Sequence, residues 1–315
     1  MKQVNRSTTL FDRSEQKAIV LDHEKMMRFL NSMIERYPFL AISYIGESIM
    51  GRSLPIITLG EGKKAVLYIG THHGMEWVTS LVLLRFLREY CELYENKSRL
   101  FDLNIRYLFT SRTIYLVPML NPDGVDYQIH GITQDHILYD RLLAMNGGSS
   151  DFSHWQANAR GVDLNHNYNS GFAAYKKLEA EHGILGGAPT RYSGEAPESE
   201  PEVAHLCNFI RYHDSIKQVL TFHTQGEEIY CGNSQTASAH TQAIGRKLAE
   251  WSGYRMAKAE GMAAYGGLSD WCAEELNLPA FTIECGKGKN PLPGIDFFNI
   301  YLRMRRLLFL TPTLV

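Results

Sequence analysis

Two short segments of the chain carry side chains that could bind a metal ion. Residues 71–77 read THHGMEW, which places His73 and Glu76 three positions apart, directly after an apolar segment. A second apolar segment ends in FHTQGEE, so His223 also follows a candidate strand. Two imidazole nitrogens and one carboxylate oxygen are the donors of a catalytic zinc ion that keeps a fourth position open for water. The pattern predicts a hydrolytic site with one zinc ion, bound by His73, Glu76 and His223.

His72 is an alternative first ligand, because it would lie one helical turn from Glu76. We favour His73 and treat His72 as a flanking residue. A single histidine after a strand is more often an ordinary loop residue. The metal prediction therefore depends on all three side chains converging.

Glu284 is a candidate catalytic carboxylate, because it ends the apolar segment FTIE. Burying a carboxylate is costly unless it is paired or functional. Beside a metal ion it could accept the proton of a water that the metal activates. The alternative is a salt bridge from Glu284 to a nearby lysine such as Lys287.

The segment NARGVDLNHNY at 158–168 supplies two further candidates. Arg160 could stabilise the oxyanion that forms when water adds to a carbonyl. Asp163 could accept the free N–H of a zinc-binding histidine and so fix its tautomer. The alternative is a surface charge pair and a turn-capping residue.

Alternating strand and helix patterns predict an α/β fold with a sheet covered on both faces. Open sheets of this kind place their sites where strands end. We expect an N-terminal arm at 1–22 and a single domain at 23–315. The predicted helices are 23–37, 77–95, 199–212, 239–252 and 295–309, and the predicted strands are 41–45, 54–59, 65–70, 113–118, 217–223 and 279–284. Residues 128–198 form a long irregular region. Long loops in compact domains usually carry function, and this one could form a lid.

Composition excludes some partners. The formal net charge is −2, from 34 acidic and 32 basic side chains without a basic run, so no nucleic-acid partner is expected. Apolar stretches such as 81–87 are too short to span a membrane. The five cysteines form no CxxC pair, and the N-terminus lacks a secretory signal pattern. We therefore expect free thiols and a cytoplasmic location.

Further motifs occur along the chain in the order and at the distances of a known family. They are THHGMEW, NPDG (121–124), GVDLN (161–165), SEPE (199–202), FHTQGEE (222–228), GGLSDW (266–271) and FTIE (281–284). With these motifs the chain resembles the zinc metallocarboxypeptidase family over residues 23–310. The resemblance implies a single-domain α/β fold with an eight-stranded mixed sheet and helices on both faces.

The resemblance also implies a role for each candidate residue. Zinc would be bound by the three ligands proposed above. Glu284 would act as general base and acid, and Arg160 as the electrophilic partner of the scissile carbonyl. Asp163 would support His73.

Departures from the family pattern concern the substrate. Where the family binds a terminal carboxylate with an Asn-Arg pair, this chain has Asn165 and His166, and Met75 replaces an arginine between the ligands. Losing a guanidinium removes the strongest grip on a carboxylate. His166 could replace it weakly, but we favour a changed substrate preference. Tyr265 is a candidate for the tyrosine that closes over the substrate, although motif spacing falls on Met262.

HTQGEEIY and IECGKGKNPLP are most similar to bacterial γ-D-glutamyl-L-diamino acid endopeptidases. This resemblance implies cleavage of the bond between γ-D-glutamate and meso-diaminopimelate or lysine in peptidoglycan-derived peptides. Such a protein in the cytoplasm would trim soluble muropeptides. The alternatives are an ordinary metallocarboxypeptidase and a non-catalytic muropeptide-binding domain.

Overall fold

The computed structural model of the protein describes residues 19–232 and 237–315. Its main sheet has eight strands, with parallel and antiparallel neighbours. Helices cover both faces, so the expected α/β fold with an eight-stranded mixed sheet is confirmed.

The elements have the following bounds. The strands are β1 (Ala41–Glu47), β2 (Ser53–Leu59), β3 (Ala65–Gly70), β4 (Arg99–Leu100), β5 (Leu103–Asn104), β6 (Thr113–Val117), β7 (Ile216–His223), β8 (Glu228–Tyr230), β9 (Arg255–Met256) and β10 (Ala280–Glu284). The helices are α1 (His23–Arg36), α2 (Val78–Glu95), α3 (Ile105–Ser111), α4 (Pro122–His130), α5 (Tyr139–Met145), α6 (Phe172–Glu181), α7 (Pro201–Arg211), α8 (Ala239–Ser252), α9 (Leu268–Leu276) and α10 (Phe297–Leu310). β4 and β5 form a separate hairpin, and the other eight strands form the main sheet in the order β1-β2-β6-β3-β7-β10-β8-β9.

The centre of the sheet is apolar on both faces. All six residues of β3 are buried, as its unbroken apolar sequence predicts. One core lies between the sheet and α1, α2, α8 and α10, and a second lies beneath α7 and α9. These two cores hold the central strands rigidly and so fix the positions of the residues that follow them.

The irregular region at 128–198 has its own small core. Helices α5 and α6 interrupt it, and Tyr127, Leu142, Phe152 and Trp155 pack together beneath it. A packed region of this kind fits a fixed wall better than a mobile lid.

Part of the predicted N-terminal arm lies outside the described residues. Of the four arm residues that are described, Ile19 and Leu21 are buried in the main core. Asp22 caps α1 by accepting a hydrogen bond from the backbone N–H of Lys25. All five cysteines are free thiols.

Candidate metal centre and adjoining cavity

Three neighbouring parallel strands converge on the candidate site. In the sheet β7 lies between β3 and β10, and the paired residues include Gly70 with Phe222 and His223 with Glu284. The carboxyl ends of the three strands therefore meet at one edge. This pairing brings together the loop after β3 and the last residues of β7 and β10.

The three predicted ligands present their donor atoms to one another. Nδ1 of His73 lies 3.0 Å from Oε1 of Glu76, and Nδ1 of His223 lies 3.2 Å from Oε2 of Glu76. The two Nδ1 atoms are 3.3 Å apart. Donors about 2.0–2.1 Å from a tetrahedral zinc ion would be about 3.3 Å apart. The donor set and its spacing therefore fit one zinc ion.

A strained turn after β3 positions the first two ligands. Thr71 has a φ of 54°, a left-handed conformation that is costly for a β-branched residue. Its hydroxyl lies 2.9 Å from Thr79 Oγ1 and 2.6 Å from Ser80 Oγ, both in α2. Gly74 passes so close to Gly124 that a side chain there would collide with backbone. The turn is therefore held in place by α2 and by the NPDG segment.

Glu76 is held by two donors outside the metal centre. The backbone N–H of Thr224 donates to Oε2, and Asn290 Nδ2 donates to Oε1, each at 3.3 Å. Burial raises the pKa of Glu76, but the charge of His73 and the hydrogen bonds from His223 and His73 outweigh burial and lower it to about 2. Glu76 is therefore a carboxylate at neutral pH. The role of Asn290 could not be predicted from the sequence.

Asp163 lies where the sequence places it, behind His73. Its Oδ1 is 3.0 Å from His73 Nε2, and its Oδ2 accepts from the backbone N–H of Arg191 at 3.1 Å. A proton on Nε2 leaves the lone pair of Nδ1 free for a metal ion. Burial opposes charge on both side chains, but the charges of Glu76 and Asp163 raise the pKa of His73, and the charge of His73 lowers the pKa of Asp163.

His72 takes a different position from the ligands. Both of its ring nitrogens have protein partners, the hydroxyl groups of Tyr168 and Thr221. Burial and the nearby histidines lower the pKa of His72. The ring is therefore a neutral group behind His223, in agreement with the choice of His73 as the first ligand.

Glu284 is half-buried at the cavity wall. Its carboxylate forms no hydrogen bond or ion pair with residues 19–232 or 237–315. Burial and the charge of Glu76 raise the pKa of Glu284 well above its usual value. The alternative salt bridge to Lys287 is wrong, because Lys287 pairs with Glu227 at 3.0 Å. Glu284 is thus positioned as a free base.

The cavity beside the metal centre has an acidic lining. The lining residues that the structure describes are His73, Asn165, His166, His223, Tyr230, Gly232, Ala259, Ala263, Gly267, Ser269, Asp270, Thr282 and Glu284. This set has two carboxylates, Asp270 and Glu284, and contains neither lysine nor arginine. Ser269 and Thr282 lie next to each other, with their hydroxyl oxygens 3.2 Å apart.

His166 lines this cavity as an uncharged imidazole. Its ring stacks on Tyr175 with 4.1 Å between centroids, and its Nδ1 donates to the carbonyl of Tyr265 at 2.8 Å. Burial lowers the pKa of His166, so the ring is neutral at pH 7. Nε2 is then an acceptor. Asn165, beside it, also lines the cavity and accepts a 3.4 Å hydrogen bond from the backbone N–H of Leu268.

The structure does not place the Tyr265 side chain in the cavity. Its ring packs against Gly171, and it supports the site only through the backbone carbonyl that holds His166. Met262, the position that motif spacing selects, is also outside the lining. Tyr230, which the sequence analysis missed, is in the lining, and its hydroxyl donates to Glu228.

Arg160 is a second candidate whose side chain the structure does not bring to the site. It lies at the tip of a tight turn, in which the backbone N–H of Asn158 donates to the carbonyl of Val162 and that of Gly161 donates to the carbonyl of Asn158. Its side chain is 47% exposed, and Nη1 lies 3.8 Å from Glu200 Oε2 in a separate cavity. The expected contact with a substrate carbonyl is therefore not supported, because the turn directs the guanidinium elsewhere.

Replacing Arg160 with alanine tests this correction. Removing a true oxyanion donor lowers kcat by about 10²–10³-fold. Because Arg160 lies outside the cavity, we expect R160A to keep kcat and KM within about twofold and to change stability by no more than about 1 kcal/mol. Steady-state kinetics on a chromogenic or muropeptide substrate would measure this. A loss above about 100-fold would return Arg160 to the reaction.

Comparison with known proteins identifies the class. The family model described as zinc carboxypeptidase matches residues 26–306. The chain belongs to this family. It is 35% identical over 280 residues to gamma-D-glutamyl-L-diamino acid endopeptidase 1 of Lysinibacillus sphaericus, covering 89% of this chain and 69% of that protein.

Solved structures agree on the fold. Thrombin activatable fibrinolysis inhibitor superposes with a TM-score of 0.74 at 20% identity, covering 98% of this chain and 77% of the other. The murein-tripeptide amidase MpaA of Escherichia coli O157 superposes with a TM-score of 0.51 at 22% identity, covering 87% and 91%. Both establish the architecture of this chain as a carboxypeptidase fold.

In the described part of the chain, no helix has the length and apolar character needed to cross a bilayer. The cytoplasmic location stays a prediction.

Proposed function

We propose that the protein hydrolyses the bond between γ-D-glutamate and a diamino acid, meso-diaminopimelate or lysine, in peptidoglycan-derived peptides. The observation that carries this proposal is the lining of the cavity. None of the described lining residues is a lysine or arginine, and neutral His166 occupies the position of the family's carboxylate-binding arginine. The 35% identity to an endopeptidase of this specificity supports the same substrate class.

The charges of the cavity favour an amine over a free carboxylate. Asp270 lines it, and none of the described lining residues is a lysine or arginine that could pair with a carboxylate. A neutral His166 with its Nδ1 proton already donated to Tyr265 can only accept a further hydrogen bond. A diamino acid supplies an amine as donor, and its carboxylate need not be free.

Within this proposal Glu284 is the group that moves protons. When bound, zinc would supply Lewis-acid activation of water and of the scissile carbonyl. Glu284 has no competing partner in the described structure, and its raised pKa makes it a stronger base than an exposed carboxylate. It takes the proton from the attacking water and then gives that proton to the departing amine of the diamino acid.

The other residues of the site hold the metal ligands in place or form the wall of the cavity. Asp163 keeps the proton of His73 on Nε2, away from the metal centre. Asn290 and the Thr224 backbone keep Glu76 directed inward. His166 and Asn165 form the wall against which the leaving residue would pack. These contacts preorganise the site before a substrate enters.

A substrate panel tests the proposal. Zinc-loaded protein would be incubated with L-Ala-γ-D-Glu-L-Lys and L-Ala-γ-D-Glu-meso-diaminopimelate, each with its terminal carboxylate free, amidated or extended by D-alanine. N-acylated L-dipeptides serve as carboxypeptidase substrates, and released amines are resolved by mass spectrometry. A site that binds the carboxylate through charge-assisted hydrogen bonds loses about 1.5–3 kcal/mol, about 10–100-fold in kcat/KM, when it is blocked.

We expect kcat/KM for the blocked and free γ-D-glutamyl substrates to differ by less than about 10-fold, with cleavage at the γ-D-glutamyl bond. Cleavage confined to free L-dipeptides would identify an ordinary carboxypeptidase instead. Saturable binding of muropeptides without hydrolysis, in protein shown to contain one zinc per chain, would identify a binding domain.

A further inference from the structure

The third ligand, His223, has a buried hydrogen-bond chain behind it that the proposed reaction does not use. Nε2 of His223 is 3.2 Å from Thr221 Oγ1, which in turn is 3.0 Å from His72 Nδ1. Nε2 of His72 is 2.8 Å from the hydroxyl of Tyr168. All four residues are at most 1% exposed, so water does not compete for these bonds.

We propose that Thr221 and His72 are positioning residues that fix His223 in its metal-binding tautomer. The inference rests on the zinc centre and is independent of the substrate proposed above. Asp163 plays the corresponding part for His73, so each imidazole ligand would have its own support.

The direction of the chain follows from the chemistry of the groups. If Nδ1 of His223 carries the lone pair for the metal, Nε2 must carry the proton, which it donates to Thr221 Oγ1. The hydroxyl of Thr221 then donates to Nδ1 of His72. His72 must therefore carry its own proton on Nε2, where the hydroxyl of Tyr168 accepts it.

The reverse direction would block the metal. A proton on His72 Nδ1 would be donated to Thr221, whose hydroxyl would then donate to Nε2 of His223. His223 would carry its proton on Nδ1, pointing at Glu76, and could not be a ligand through that atom. The parallel packing of the two imidazole rings, with centroids 5.1 Å apart and planes at 27°, keeps both in register for the chain.

Zinc affinity of Thr221 variants, measured by competition with a chromogenic chelator on the whole protein, tests this role. Removing an outer partner of a ligating histidine lowers metal affinity by about 10–100-fold. Thr221→Val removes the hydroxyl at nearly constant volume, and we expect a loss in that range. Thr221→Ser keeps the hydroxyl and should restore affinity to within about threefold.

Two further variants separate positioning from general destabilisation. Thr113→Val makes the same substitution at a buried threonine at the amino-terminal end of β6, where the hydroxyl donates only to the carbonyl of Gly62. It should leave zinc affinity unchanged. His72→Phe keeps a ring but removes the acceptor, and the double variant with Thr221→Val should lose no more than the larger single loss, because the chain is interrupted once in each case.

Nitrogen-15 NMR of the histidine rings reads the tautomers directly. In the zinc-loaded protein we expect both His72 and His223 to be protonated at Nε2. A His72 protonated at Nδ1 would overturn the proposal. So would a Thr221→Val protein that melts lower than the wild type but binds zinc with unchanged affinity, since the hydroxyl would then be structural only.

Discussion

Replacing Glu284 with glutamine is expected to lower kcat by about 10²–10⁴-fold while zinc stays bound, because general acid–base catalysis contributes about that factor. Glu284 lies at the carboxyl end of β10 beside His223, outside the set of three donors. Glutamine has the same shape but cannot accept the proton of the attacking water. The measurements are kcat on the preferred γ-D-glutamyl substrate and zinc content per chain.

Glu227→Gln is the matched control. This control makes the same chemical change at a residue four positions after the end of β7, whose carboxylate pairs with Lys287 and Arg303 away from the cavity lining. We expect this variant to keep activity within about twofold, as surface ion pairs contribute little. The assignment of Glu284 fails if Glu284→Gln retains activity comparable to this control.

The fold could be predicted from the sequence where the hydrophobic pattern is strong. The unbroken apolar run of β3 and the long amphipathic pattern of α1 each predicted an element within a residue or two. The short elements were not accessible. β8 has three residues and β9 has two, too few for alternation to stand out from chance.

The same contrast holds within the candidate site. The convergence of His73 and His223 could be foreseen, because each follows a strand and strand ends meet at one edge of the sheet. Arg160 could not be placed from sequence, since its direction depends on the turn between Asn158 and Val162. Tyr265 was misplaced because its ring packs against Gly171, a contact made only in the folded chain.

Missed residues lacked a chemical signal of their own. Asn290 holds Glu76 from a loop distant in sequence, and an asparagine before a proline reads as an ordinary turn. Tyr230 lies in β8, whose three residues are too few for alternation to show which face the side chain occupies. The burial of Asp163 also depends on tertiary structure, although its contact with His73 was expected from the sequence.

Replacing Glu76 with glutamine is expected to lower zinc affinity by more than about 100-fold. That factor is the upper bound for losing a residue that only hydrogen-bonds to a ligand. Glu76 should cost more, because it supplies a donor atom and is the one negatively charged side chain among the three ligands. The change also disturbs its supports. Both carboxylate oxygens accept hydrogen bonds, from Thr224 and Asn290, and the glutamine NH₂ would face one of these donors. A buried donor left without an acceptor costs about 1–3 kcal/mol.

The zinc affinity of Asp163→Asn is the comparison for that of Glu76→Gln. Asp163 touches His73 through Nε2 and not the metal centre itself, so we expect a loss of about 10–100-fold, smaller than that of Glu76→Gln. Zinc dissociation constants from chelator competition, with thermal melting of the metal-free proteins, would give both values. Equal zinc affinities for Glu76→Gln and the wild type would mean that the carboxylate is not a ligand. In that case the distances of 3.0 and 3.2 Å from Glu76 to the two histidines would report only a hydrogen-bonded cluster of buried residues.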